Sequence, residues 1–269
     1  MPSPDKAQVH ALQLQCKALR LPTAAQVIDD SLALAERETW SLATFLGHLF
    51  EQELAGRQHR RIDRLLKQSH LPEGKTLATF DDSRLPLRLR RLLPQLGSGE
   101  FVDRADNILV FGLPGTGKSH FSAGVGHALV QQGRSVLFTP TFRLVSQLLR
   151  AKRDYELERE LRRLDRFEVV ILDDIGYVQQ TREEMEVLFT FLAERYERRS
   201  VIITSNLVFS QWDQIFKDPL TTAAAIDRVV HHSIIVEFGK EMKSVRAEEA
   251  ARRNGRSLGD VTPPTETEG

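Results

Sequence analysis

The stretch Gly112-Leu-Pro-Gly-Thr-Gly-Lys-Ser119 constrains this chain more than any other eight residues in it. It follows the apolar run Ile108–Phe111 and precedes the helix-like run Lys118–Gln131, so it reads as a strand-to-helix turn. The spacing G-x-x-x-x-G-K-[ST] has a physical logic. Glycines let successive main-chain N–H groups converge on an anion. The helix that follows adds partial positive charge at its N-terminus. Lys118 is then expected to reach the β- and γ-phosphates of a bound ATP, and Ser119 to ligate Mg²⁺. Gly112, Leu113, Pro114, Gly115, Thr116, Gly117, Lys118, Ser119 and His120 form the expected nucleotide-binding set.

The surrounding pattern fits that turn. Short apolar strands are expected at Ser135–Thr139, Val169–Leu172, Val201–Thr204 and Ser233–Phe238. Helical runs separate them: Phe142–Arg150, the charged Asp154–Arg166, and one opened by the capping-box pair Thr181 and Glu184 that continues to Tyr196. Apolar strands alternating with helices imply an α/β fold, a parallel sheet flanked by helices on both faces. Two strand ends carry polar groups. Val169-Val-Ile-Leu ends in Asp173 and Asp174, and ligands bind at such strand ends in open α/β sheets. Asp173 is expected to hold Mg²⁺, and Asp174 to orient or activate the attacking water. Val201-Ile-Ile-Thr ends in Ser205-Asn206, which places Asn206 near the γ-phosphate or its water, although Ser-Asn also makes ordinary turns.

Residues from about Lys6 to Gln68 read as all-helical, with no strand signal. Thr23 and Gln26 have capping-box spacing, and Leu42, Phe45, Leu46, Leu49 and Phe50 form an amphipathic stripe. Ser69–Gly99 is rich in Pro and Gly, with short apolar pieces between, and reads as a linker plus the entry to the second domain. The expected organisation is a small helical N-terminal domain over 1–68, a linker and entry to the ATPase domain over 69–100, an ATPase domain over 101–255 and a disordered tail over 256–269.

Lys plus Arg and Asp plus Glu both number 37, so bulk charge says nothing about a nucleic-acid partner. Local clusters must carry any DNA contact. One is Arg57, Arg60, Arg61, Arg64 and Lys67. The other runs from Arg143 to Arg166 and is interleaved with Glu156, Glu158 and Glu160, so intrahelical pairing competes with phosphate binding. The lone Cys16 excludes an intramolecular disulfide and suits a reducing cytoplasm. No run approaches the roughly 18 apolar residues of a membrane span. His231 and His232, if extended, point to opposite faces and share a metal poorly. Trp40 and Trp212 read as core or interface residues.

Taken together, Gly112–Ser119, Val169–Asp174 and Thr204–Asn206 resemble AAA+ ATPases of the helicase-loader branch. Glu194–Trp212, Ala225–His232 and Lys75–Asp81 extend the likeness to IstB, the helper ATPase of insertion sequences of the IS21 type. The resemblance implies an AAA+ domain of the P-loop NTPase class. It also implies ATP-dependent assembly on double-stranded DNA, recruitment or stimulation of a transposase, and a homo-oligomer with ATP at subunit interfaces. No membrane partner is implied. Arg228 matches the arginine finger, with Arg195, Arg198 and Arg199 as rivals that look like a solvated helix end. Arg246 matches a second arginine in cis to the nucleotide, although Val245 replaces the family's usual tyrosine. Asp174 stands where most AAA+ proteins have Glu, so hydrolysis is expected to be slow and partner-stimulated. A DnaC-type helicase loader and an ATP-gated DNA scaffold are the alternatives.

Overall fold

The computed structural model of the 269-residue chain describes residues 5–175, 181–207 and 229–239, apart from the side chain of Arg84. It divides into two units, Met1–Arg64 and Leu65–Gly269.

The first unit is helical: α1 (Lys6–Ala18), α2 (Pro22–Arg37) and most of α3 (Leu42–Ser69). Val9, Cys16, Ala24, Ala25, Ile28 and Leu49 form its buried core. The capping box expected at Thr23 is not what starts α2. The helix begins earlier, with Leu21 rather than Thr23 as N-cap and Pro22 in its first turn. Proline fits there because it has no N–H to satisfy. The next two amides, of Thr23 and Ala24, donate to Glu53 Oε2 of α3 at 2.8 and 3.0 Å. Glu53 is buried, and its Oε1 accepts from Arg57 Nε at 2.9 Å and Arg60 Nη2 at 3.1 Å. Burial pushes the Glu53 carboxyl up, but the Ala24 amide, Arg57 and the Thr23 amide together hold it below its ordinary value. A carboxylate from another helix thus does the work of a local cap.

The second unit begins at Leu65, just before the segment expected to be a linker and the entry to that domain. Ser69–Gly99 holds a 3-10 turn (Asp82–Arg84) and α4 (Leu87–Ser98). Pro86 is the N-cap of α4, Pro94 lies exposed inside it, and Gly99 ends it in the left-handed region at φ 76°. The Pro and Gly content therefore marks helix ends as well as loops. Leu89 and Leu96 bury one face of α4. There follow α5 (Glu100–Asp103), β1 (Asn107–Phe111), α6 (Lys118–Gln131), β2 (Val136–Pro140), α7 (Thr141–Arg153), α8 (Leu157–Leu164), β3 (Val169–Ile175), α9 (Arg182–Arg195), β4 (Ser200–Ser205) and β5 (Ser233–Glu237). Tyr155, at φ 58°, breaks the charged helical run between α7 and α8. Thr181 and Glu184 form the expected capping box at the start of α9.

The five strands lie in the order β2-β3-β4-β1-β5, and every pair is parallel. All five residues of β1 are buried, which fits a strand covered on both faces. Asn107 ties three strand starts together: its Oδ1 accepts from Val201 N, its Nδ2 donates to Val229 O, and its N donates to His232 O. Leu144, Leu148, Leu164, Leu188 and Phe191 of α7, α8 and α9 close over Leu109, Val170, Leu172 and Ile203 of the sheet.

Arg195 departs from expectation. It is not a solvated helix end: it is 3% exposed. Its guanidinium donates to the carbonyls of Leu164, Phe167, Glu168 and Ser200 at 2.9–3.2 Å. Desolvation draws its pKa down to about 9, with Arg199 and Arg198 adding to the fall and Asp165 opposing it, so it remains a cation at neutral pH. Arg198 is exposed and pairs with Asp165 and Glu194.

Candidate functional site

Strand order builds the site. Because β4 lies between β1 and β3, the segments that follow β1, end β3 and follow β4 become neighbours at one sheet edge. Residues 112–119, 173–174 and 204–206 are far apart in sequence and adjacent here.

The loop after β1 needs its glycines. A Cβ on Gly112 would fall 2.6 Å from Phe238 Cβ and 3.1 Å from the Phe238 carbonyl oxygen. Gly117 is the N-cap of α6 at φ 102°, a region closed to ordinary side chains. Between them Thr116 closes a turn by donating from Oγ1 to Leu113 O at 2.8 Å. Lys118 is buried, and its Nζ donates to Gly112 O at 2.7 Å, Leu113 O at 2.9 Å and Asn206 Oδ1 at 2.6 Å.

Asn206 has a second bond. Its Nδ2 donates to Asp174 Oδ1 at 2.8 Å. The amide therefore joins the loop lysine to a carboxylate of β3, presenting its oxygen to the cation and its NH₂ to the anion. Aspartate at 206 would repel Asp174, and lysine would repel Lys118. Asp173 sits beside this bridge: its Oδ1 accepts from Thr204 Oγ1 at 2.8 Å, and its main-chain oxygen accepts from Thr141 Oγ1 at 3.1 Å.

Ser119 follows Lys118 at the start of α6. A hydroxyl and a carboxylate, from Ser119 and Asp173, are hard oxygen donors of the kind Mg²⁺ takes. His120 faces a different neighbour: its Nε2 lies 3.1 Å from Thr79 Oγ1 and 3.2 Å from Thr76 O, and its ring meets Phe80 edge-on at 5.4 Å. Burial holds its imidazole below the ordinary histidine value, with the charge of Lys75 adding to the fall and the Thr76 carbonyl opposing it.

Reading the sequence missed the aromatic floor of the loop. Phe80, Phe121 and Phe238 meet edge-on at 5.8–6.5 Å between ring centroids, and Phe80 lies 3.4 Å from where a Gly117 Cβ would be. Thr204 stands in the strand-end motif Thr204–Asn206 but drew no role of its own from the sequence, although a hydroxyl in the buried run Val201-Ile-Ile-Thr was a usable signal. Arg228, Arg246 and Trp212 lie outside the described residues.

The basic clusters are largely engaged. Arg57 and Arg60 belong to Glu53. Arg159, Arg162 and Arg163 pair along α8 with Glu156, Glu158 and Glu160, the intrahelical alternative. Lys152 and Arg153 pair with Glu186 and Glu183 of α9. His231 and His232 do not point apart. Val229–His231 form a helical turn, the two rings lie 4.2 Å apart, and with exposed Glu197 their ligand atoms lie within 4.8 Å of one another. Trp40 is half-buried and meets His48 edge-on at 5.0 Å. Among the described residues no helix is long and apolar enough to cross a membrane.

Comparison with known proteins agrees with this geometry. The family model described as IstB-like ATP binding protein matches residues 14–252. A Sinorhizobium fredii protein named as an insertion sequence ATP-binding protein is 43% identical, over 93% of this chain and 85% of its own length. One from Pseudomonas aeruginosa, named for insertion sequence IS21, is 35% identical over 97% of each chain. Among solved structures, DnaI superposes with a TM-score of 0.53 at 19% identity, covering 63% of this chain and 95% of its own. The replication initiator DnaA, bound to AMPPCP and single-stranded DNA, gives 0.55 at 15% identity, covering 71% and 59%. These structures share the AAA+ P-loop fold: a parallel five-stranded sheet flanked by helices.

Proposed function

The chain belongs to the family of IstB-like ATP-binding proteins, and from that premise we propose that it is a Mg²⁺-dependent ATPase that assembles on duplex DNA and serves the transposase of its own insertion sequence. The observation that carries the reading is the Lys118–Asn206–Asp174 chain of hydrogen bonds. It sets a phosphate-gripping cation, a polar reporter and a carboxylate in contact at one sheet edge. A γ-phosphate competes for the Lys118 ammonium, so triphosphate binding draws Lys118 away from Asn206 and lets Asn206 turn to the phosphate or its water. Asp174, no longer held by Asn206, then accepts a proton from that water. Ser119 and Asp173 would hold Mg²⁺, which would neutralise charge on the phosphate oxygens. Arg228 acts as the finger from a neighbouring subunit, and Arg246 acts in cis.

The short Asp174 side chain makes turnover slow and dependent on DNA or transposase, so ATP works chiefly as an assembly switch. DNA contact is non-specific and salt-dependent, and exposed Arg61 and Arg64 of α3 contribute to it. The supporting likeness is to proteins named for insertion sequences along nearly their whole lengths.

Lys118→Ala tests the reading. Calorimetry with Mg-ATP should register binding to the unsubstituted chain and a loss of about 100-fold or more for the variant, the scale of a buried charge contact. Electron microscopy with duplex DNA should show ATP-dependent assemblies only for the unsubstituted chain. Recovery of a replicative helicase in place of a transposase would favour a loader. No binding of Mg-ATP by the folded, unsubstituted chain would end the proposal.

A further inference from the structure

The pairing of β3 with β4 is regular from Val169↔Ser200 to Leu172↔Ile203 and resumes at Ile175↔Ser205. Three steps on β3 thus match two on β4, so one extra residue is accommodated at Asp173–Asp174. Asp174 takes φ 61°, the left-handed region that Asp tolerates better than most residues. A bulge leaves ladder groups without their regular partners. The side chain of Thr204, 1% exposed, fills that role. Its Oγ1 accepts from Asp174 N at 2.7 Å and donates to Asp173 Oδ1 at 2.8 Å.

This hydroxyl has no choice of direction. An amide N–H can only donate, so the single hydroxyl proton must go to the carboxylate. The β-branched side chain is stiff about χ1, which fixes where the oxygen lies. On the next residue, Ser205 Oγ donates to Leu207 O at 2.8 Å and lies 3.3 Å from Ile175 O, at the far side of the bulge.

We propose that Thr204 is a positioning residue for the ATPase site, setting the carboxylate of Asp173 and the backbone of Asp174 at once through one buried hydroxyl. This inference rests on the ATPase reading above. It gives Thr204 no contact with nucleotide: it acts through the metal-holding and water-activating acids.

Thr204→Val keeps the shape and removes both bonds, and Thr204→Ser keeps the hydroxyl. In the nucleotide-free protein, amide hydrogen exchange at Asp174 should accelerate in the valine variant and stay slow in the serine variant. ATP affinity without Mg²⁺ should change by less than about threefold in either, because Lys118 and the glycine loop are untouched. The Mg²⁺ concentration that half-saturates ATP binding should rise about 10-fold in Thr204→Val, and kcat should fall about 10- to 100-fold, the range for losing a group that orients a metal ligand. Thr204→Ser should recover both to within about threefold. Thr204→Ala serves in the same comparison should valine fail to fold. Unchanged Mg²⁺ dependence and exchange in a folded hydroxyl-free variant overturn the proposal. Equal impairment of serine and valine variants overturns it as well, since packing of the methyl would then be the cause. An unsubstituted chain that binds Mg-ATP without turnover removes the hydrolytic reading alone, and the Mg²⁺ titration still judges Thr204.

Discussion

Glu53 in the helical unit and Arg195 in the ATPase unit solve one problem with opposite charges. Each is a buried ion reaching across elements to satisfy main-chain groups at element ends. Glu53 accepts from two amides at the start of α2. Arg195 donates to four carbonyls around the ends of α8, β3 and β4. The two differ in how their charge is balanced. Glu53 has two guanidiniums at hydrogen-bond distance, whereas Arg195 bonds carbonyl dipoles and feels Asp165 only through space. A helix start exposes N–H groups and a helix end exposes C=O groups. Arg195 meets the Leu164 carbonyl at the end of α8 and the carbonyls of Phe167, Glu168 and Ser200 where β3 and β4 start, so the required sign follows from which groups are buried. The two ions titrate at opposite ends of the pH scale, Glu53 in acid and Arg195 at about 9.

The comparison can be broken most severely at Arg195. Arg195→Met should destabilise the ATPase unit by about 4 kcal/mol, since several carbonyls lose their donor inside the protein. Urea unfolding followed by a probe in the sheet measures this, and a loss below about 1 kcal/mol would refute the role assigned to the guanidinium. Glu53→Gln should cost the helical unit about 2 kcal/mol while leaving Mg-ATP affinity unchanged, because an amide keeps one acceptor but loses the charge that both arginines and the helix start favour.

Acid separates the two residues without mutation. The folded-state value of Glu53 lies below its ordinary 4.5, so its contribution is complete above that value and is lost as pH falls through the lower folded one. Hydrogen exchange should show α2 and α3 loosening in that window, and Glu53→Gln should flatten the dependence. Arg195 stays charged throughout, since its pKa of about 9 lies well above the window. The smallest expected effect is at Gly56, where a Cβ would collide with the Thr23 hydroxyl. Gly56→Ala should cost about 1–2 kcal/mol by overpacking, set against the better helix propensity of alanine. A thermal melt of the helical unit resolves it.

Much of the sheet was legible because its strands are short apolar runs set between helical ones. Val169–Leu172 and Val201–Thr204 stand out as local apolar runs, and the capping box at Thr181 follows from the spacing of Thr181 and Glu184. The α2 start was misread because Thr23 and Gln26 have the right spacing, while the acceptor used, Glu53, is 30 residues from Thr23. Arg195 was misread for a related reason: in sequence it belongs to a run of exposed charge, Glu194-Arg-Tyr-Glu-Arg-Arg199, and only burial distinguishes it from Arg198. His231 and His232 were placed in an extended segment, and a single helical turn reverses the conclusion.

The sequence by itself determined the glycine loop, the lysine and the helix start, because the three are contiguous and their chemistry is local. It also determined that the acids and Asn206 stand at strand ends. Strand order alone decided that β4 lies between the other two segments, so that Asn206 touches both Lys118 and Asp174. It likewise decided that an extra residue in β3 puts the Thr204 hydroxyl under both acids. Such contacts depend on distances of about 3 Å between groups about 30 and 88 residues apart, and no local pattern encodes them.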